Sequence, residues 1–150
     1  MDLTEANETH RAISNAQVRA LECDLINLPQ VDLLTAMLVH GKMCARTIFI
    51  PKGTVVTGAL TNLDNICVVY GDISVTTSSG TKRLTGFHVL PADKGFKRAV
   101  VALEDTHWVA LHHTEHTSLS EIEKEMTDEF PLLLTNRFLP NKEENVCLGG

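Results

Sequence analysis

The sequence predicts a mainly β, single-domain protein in which a sandwich or barrel is flanked by one helix on each side. Three observations carry that prediction. Seven short β-branched runs succeed one another between residues 44 and 113. Glycine and proline separate them, and the stretches before and after change to helical spacing of apolar residues. At 150 residues the chain is most simply one domain, long enough to bury roughly 70% of the surface its unfolded form exposes.

The first element is a helix. From Ser14, "SNAQVRALECDLINLPQ" sets Val18, Leu21 and Leu25 on one face, Ser14 and Gln17 have capping-box separation, and Pro29 stops the helix. Residues 31–43, "VDLLTAMLVHGKM", suit a strand, a short helix or an arm packed on a neighbour, and stay unassigned. The strands follow as "CARTIFIP", "GTVVTGAL", "NICVVYG", "DISVTTS", "TKRLTGFHVL", "FKRAVVAL" and "THWVALHH". Ser79 and Gly80 suit the two-residue turn between the fourth and fifth, because glycine accepts the positive φ that such turns need. In "SLSEIEKEMTDEF", Ser118 and Glu121 again have capping separation, and Leu119, Ile122 and Met126 form the apolar stripe of a second helix lying on the barrel. Beyond it, "PLLLTNRFLP" is apolar enough to dock or to meet a partner, and "NKEENVCLGG" reads as a frayed tail. The expected divisions are a helix and arm (1–43), a β-barrel (44–117), a helix and docked segment (118–140) and a tail (141–150), all within one domain.

Charge and cysteine usage exclude several classes. Thirteen basic against nineteen acidic residues leave a net charge of −6, which opposes capture of extended nucleic acid or of an anionic membrane. The four cysteines form no Cys-x-x-Cys pair, and their spacing resembles neither a zinc site nor a disulfide framework. The start is polar and acidic, unlike a signal peptide, and no apolar run approaches a membrane span. A soluble protein of a reducing compartment, the cytoplasm, is the expectation.

The frame of Gly53, Gly71, Gly86, Pro91 and Gly95 resembles the two motifs of the cupin superfamily, small RmlC-like jelly-roll barrels that enclose a pocket. "LPQVD", "ARTIFIPKGTVVTG", "ALEDTHW" and "SLSEIEKEM" resemble, more narrowly, cupin-like proteins of tailed phages and prophages. The resemblance covers about Ala12 to Met126 and implies a single-domain cupin-like jelly-roll β-barrel, in the host cytoplasm if phage-encoded. It also implies metal ligands that this chain lacks. Ala59 and Thr61 stand at the two histidines of the first motif, Asn65 at or near its glutamate, Arg98 at the histidine of the second and Ala102 at its asparagine. No metal and no other cofactor is therefore expected. His112 and His113 must point to opposite faces of a strand, and His107 lies roughly 20 Å from His113 along it, so neither pair chelates alone.

The basic turn "PADKGFKR" offers Lys94, Lys97 and Arg98 to a phosphate or carboxylate, and Arg98 is also a pocket position in the resemblance. Arg46 shares a face with Ile48 and Ile50, where a charge must pair, snorkel or hold an anion; Asp64, Asp72 and Asp105 are its candidate partners. Trp108 and Tyr70 are the only residues of their types, and either suits stacking. His88 beside Glu104 or Asp105 is the one imidazole and carboxylate couple on offer as a general base. The candidate ligand-binding set is Arg46, Thr61, Asn65, His88, Lys94, Lys97, Arg98 and Trp108, with no catalytic residue assigned. The leading expectation is a metal-free, non-catalytic homo-oligomer that binds a small anionic metabolite or nucleotide, such as a host signalling nucleotide. The rivals are a phage structural or assembly oligomer and a metal-independent sugar-nucleotide epimerase or isomerase.

Overall fold

The computed structural model describes residues 2–77 and 79–133. The chain is mainly β: one antiparallel sheet of seven strands curls into a half-barrel, with a helix at each end of the sequence. The segment expected to dock, from Pro131, is described only as far as Leu133, and its remainder and the tail expected to fray lie outside the described residues.

Helix α1 spans Leu3–Leu25 and so begins well before Ser14. No glycine or proline interrupts residues 3–13, and Asp2 caps the helix by accepting the Glu5 N–H at 2.9 Å. At the other end, side-chain amides satisfy carbonyls that the last turn leaves open. Asn27 Nδ2 donates to Cys23 O at 3.0 Å and Gln30 Nε2 to Leu25 O at 2.9 Å.

The unassigned stretch forms a hairpin. Strand β1 (Thr35–His40) pairs antiparallel with β2 (Met43–Ile50) across Gly41 and Lys42. Both turn residues have positive φ, 58° and 59°, the handedness that matches strand twist in a two-residue turn. The sheet therefore begins inside the segment expected to be an arm.

Strand β3 is only Val55–Thr57 and β6 only Ala99–Ala102. Both are shorter than the runs expected there: the pairing reaches one step further, where Gly58 N–H donates to Arg98 O at 2.8 Å, and then gives way to loop contacts. The third and fourth expected strands are one, β4 (Asn65–Thr77), which pairs with β5 (Gly80–Ala92) along its length. Gly80 is already paired with Thr77, so the turn sits one residue earlier than expected. On its other edge β4 pairs first with β7 (Thr106–His113), through Tyr70, and then with β6, from Ile73.

Gly71 sits where β4 changes partner. A Cβ there would collide with Cα, Cβ and Oγ1 of Thr106, whose hydroxyl accepts the Asp72 N–H at 3.3 Å. Gly71→Ala is expected to cost roughly 1–3 kcal/mol through overpacking, measured by urea denaturation, and Thr106→Ala in the same chain should recover part of it. Thr106→Ala keeps the colliding Cα and Cβ, so only a share of the cost returns, and a Gly71→Ala cost below about 0.5 kcal/mol would refute the collision.

Ile50, Val69, Ile73, Val75, Val100 and Ala102 form the buried cluster, with Ile48, Val56, Leu84 and Trp108 packed against it. Helix α2 (Leu119–Met126) is capped by Ser118, as its spacing predicts, and buries Ile122 and Met126. A 3₁₀ turn, Phe130–Leu132, follows it. Thr127 and Asn62 tie α2 to the loop after β3: Thr127 Oγ1 donates to Leu60 O at 2.6 Å, and Asn62 N–H to Met126 O at 2.7 Å.

The basic turn is not a free cationic loop. Lys97 is fully buried, with Nζ 2.9 Å from Glu22 Oε2 on α1 and 2.9 Å from Glu129 Oε2 after α2. Asn15 of α1 clamps the same turn, donating to Gly95 O at 2.9 Å and accepting the Lys97 N–H at 2.8 Å. Burying a lysine is tolerable only with opposite charge and hydrogen bonds around it. These contacts join the helix, the turn and the chain after α2.

Cys44 and Cys67 are free buried thiols, whereas Cys23 is disulfide-bonded, against the reading of the four cysteines as unpaired. Among the described residues no helix is long and apolar enough to cross a membrane.

Candidate functional site

The concave side of the sheet lines a cavity of about 650 Å³, within the range of small-molecule sites. Strand alternation sets what faces it. From β2 come Arg46, Ile48 and Ile50, and from β7 Trp108, Ala110 and His112. Register places Cys44 opposite His112, Arg46 opposite Ala110 and Ile48 opposite Trp108. From β4, Cys67 pairs with Ala110, and Val69 with Trp108.

Five of the eight expected residues line this cavity: Arg46, Thr61, Asn65, Arg98 and Trp108. The other three do not. His88 is half-buried on β5, with Nε2 2.9 Å from Thr85 O. Lys94 is exposed, and its backbone N–H donates to Asp64 at 2.8 Å. Lys97 is consumed by its two carboxylates. His112, absent from the expected set, lines the cavity; its shared parity with Trp108 is the signal that could have placed it.

Arg46 pairs with none of the aspartates expected for it. Asp64 and Asp105 accept backbone N–H groups of Lys94 and Lys52, each at 2.8 Å. Asp72 takes a two-pronged contact from Arg83, at 2.9 and 2.6 Å, and the hydrogen bonds of that guanidinium hold its carboxyl below the usual range. The Arg46 partner is Glu123 of α2, with Nη1 3.6 Å from Oε1 and both side chains nearly buried. That spacing is an ion pair beyond hydrogen-bond reach. Arg46 Nη1 and His112 Nε2 are buried polar atoms without a hydrogen-bond partner, and such atoms are uncommon in folded proteins.

Burial pushes the His112 imidazole below its ordinary range; Glu125 opposes that shift, while Arg46 and His113 add to it. His112 is therefore neutral near pH 7. Burial raises the Cys67 thiol, against lowering by Arg98 and Trp108, so it stays protonated and a poor nucleophile. Arg98 makes no ion pair among the described residues. Its Nη2 lies 3.4 Å from Pro91 O, and its guanidinium lies 5.6 Å from the Phe96 ring centroid.

The donor set does not suit a metal. Ala59 and Thr61 contribute a methyl and a hydroxyl to the lining, and Ala102 is buried in the core. Among the described residues no three His, Cys, Asp or Glu side chains converge.

No family model and no curated protein matches the chain. Solved structures do. KdgF from Halomonas sp. is 20% identical, with 60% of this chain and 87% of that one covered at a TM-score of 0.49. Ectoine synthase from P. lautus is 16% identical, with 66% and 76% covered and a TM-score of 0.49. The cupin domain of an XRE-family transcriptional regulator from Enterobacter cloacae is 13% identical, with 57% and 100% covered and a TM-score of 0.47. The chain is similar to these cupin-type structures.

Proposed function

We propose that this protein binds a small anionic ligand inside the curled sheet, without a metal and without catalysing a reaction on it. The observation that carries the reading is the pair of buried polar atoms that lack a hydrogen bond, Arg46 Nη1 and His112 Nε2, on side chains that line the same cavity as Arg98. A bound carboxylate or phosphate oxygen would supply the acceptors they lack. Sequestering a signalling nucleotide is what the phage-type resemblance implies, and nucleotides are therefore one arm of the test.

The test is calorimetric titration of the purified chain against carboxylates, sugar phosphates, and cyclic and linear nucleotides. Arg98→Ala is expected to weaken binding roughly ten- to hundredfold, as loss of a charge-assisted hydrogen bond does. No binding across the whole panel would sink the reading.

Affinity should also depend on pH. The groups around His112 are Glu125 of α2, Arg46 of β2 and His113 of its own strand, and Cys44 stands opposite it. A bound anion favours the imidazolium, so binding takes up a proton and strengthens as pH falls from about 8 to about 6. Titration in two buffers of different ionisation enthalpy reads the uptake directly, and His112→Asn should abolish it.

A second reading, an oligomeric scaffold, is favoured by a separate observation. Ile66, Tyr70, Phe87 and Val89 are large, exposed and neighbouring on the outer face of β4 and β5, an apolar patch of the kind that marks association sites. If the protein is a homo-oligomer through this face, Tyr70→Lys with Phe87→Lys lowers its mass by sedimentation while leaving the fold intact.

A further inference from the structure

We infer that the ligand is a singly charged amphiphile: one carboxylate-like anionic group on an apolar body. The inference rests on the anion-binding reading and narrows its ligand class. Polarity along the inward strand faces is graded. Cys44, Arg46 and His112 stand together in two adjacent rows of β2 and β7, whereas the next rows are Ile48 with Trp108, and Ile50 with Thr106. Cys67 and Val69 of β4 continue the same division, one beside each set. An anionic group held by Arg46 and His112 therefore has Ile48, Ile50 and Trp108 of the same lining immediately beyond it. Those side chains offer dispersion contacts and no hydrogen bonds apart from the indole N–H. Leu28 and Val31, after α1, also line the cavity and remain largely exposed, so with Gln30, Lys52 and Thr54 they form a mixed rim beyond the apolar rows.

The charge inventory excludes a more highly charged ligand. Arg46 is already partly neutralised by Glu123 at 3.6 Å. Arg46, Lys52 and Arg98 line the cavity against Glu22, Asp93 and Glu129, and Lys97, which offsets Glu22 and Glu129, is buried between their carboxylates. A polyphosphate would meet about as much negative as positive charge there, after losing its own hydration. A neutral apolar ligand fails for a different reason: it would leave Arg46 Nη1 and His112 Nε2 without acceptors. A nucleobase would bring several polar edges against Ile48, Ile50 and Trp108, with little to pair them beyond the indole N–H. One anionic group with an apolar body satisfies both ends of the cavity.

Trp108 is the chain's only tryptophan and lines the cavity, so its emission reports occupancy without a label. The experiment titrates the full chain with four probes: octanoate, octan-1-ol, inorganic phosphate and cyclic AMP. Octanoate should shift the emission saturably and bind about tenfold or more tightly than octan-1-ol, the worth of one charge-assisted contact. Phosphate alone should bind more weakly than octanoate for want of a body. Arg46→Gln should bring octanoate down to the level of octan-1-ol and leave the latter unchanged. If Arg46→Gln does not fold, Arg98→Gln supplies the comparison and should narrow the same gap. Equal affinity for octanoate and octan-1-ol would overturn the inference by removing the anionic anchor. Tighter binding of cyclic AMP or of phosphate than of octanoate would overturn the amphiphile while leaving the anion-binding reading in place. Absence of binding by all four would overturn the amphiphile, and the anion-binding reading would then be decided by the wider calorimetric panel.

Discussion

Lys97→Ala is expected to lower the unfolding free energy by about 3–5 kcal/mol, the cost of stripping one partner from a buried ion pair. Lys97 Nζ is the shared cation of Glu22 and Glu129, and its removal leaves two carboxylates facing one place with too little positive charge. Arg19, 3.5 Å from Glu129, offsets only part of that. The backbone clamp survives, because Asn15 holds the Lys97 N–H and not its side chain, so the loss is one of charge. The pH dependence tests that account. Burial alone would raise the Glu129 carboxyl, but the Lys97 hydrogen bond, the Leu60 N–H and the charges of Lys97 and Arg19 outweigh it and hold it below the usual range. A depressed folded value means that this stabilisation is full above the unfolded value, about 4.3 for a glutamate, and is lost as pH falls through the lower folded value. In Lys97→Ala the sign reverses for the cluster: its carboxylates are held without their cation, and protonating one relieves the repulsion. The gap between wild type and variant should therefore narrow on acidification from about pH 7 to about pH 4, read by chemical denaturation at each. A gap of equal size at both would refute the charge account, and Lys97→Ala with Glu22→Gln and Glu129→Gln should recover much of the loss at neutral pH.

The parts of this arrangement that sequence made legible are those in which one local pattern decides the outcome. Strand β7 is the run "THWVALHH" to the residue, because β-branched and aromatic residues lie between clear breaks. Ser118 caps α2 because a hydroxyl three residues before a glutamate has few other uses there. Strand β1 was illegible for the opposite reason: Leu38 projects outward, two-thirds exposed, between Met37 and Val39, so both faces are apolar and the period of two vanishes. Arg46 could be assigned to the face of Ile48 and Ile50, and all three line the cavity. Its partner could not be named, because Glu123 reaches it from a helix far along the chain, whereas the expected aspartates are held elsewhere. Lys97 misled for the same reason. In a glycine-bearing turn a lysine is ordinarily solvated, and nothing near it in sequence signals that Glu22 and Glu129 close over it. Pairings of charges distant in sequence depend on tertiary packing, which neither periodicity nor turn chemistry encodes.

Arg46 carries the second large effect, because it serves packing and the candidate site at once. Arg46→Leu removes the guanidinium from Glu123, whose side chain is only 8% exposed, and should destabilise the chain by roughly 2–4 kcal/mol. That is below the Lys97 figure because the pair, at 3.6 Å, lacks a direct hydrogen bond. Burial lowers the Arg46 pKa, against Glu123 and Cys44, but a guanidinium remains charged at any working pH, so the wild-type pair keeps its cation throughout. Arg46→Leu with Glu123→Leu replaces the pair by apolar side chains, and such exchanges are often neutral or stabilising. The double variant should thus regain most of the lost stability. It should not regain anion affinity, because the cavity then keeps its shape and apolar wall but not the cation that holds the ligand. A thermal melt and a Trp108 titration of the same three chains separate the two roles. Recovery of stability together with recovery of anion binding would mean that Arg46 holds α2 in place and does nothing for a ligand, and the anchor would then have to be Arg98 alone.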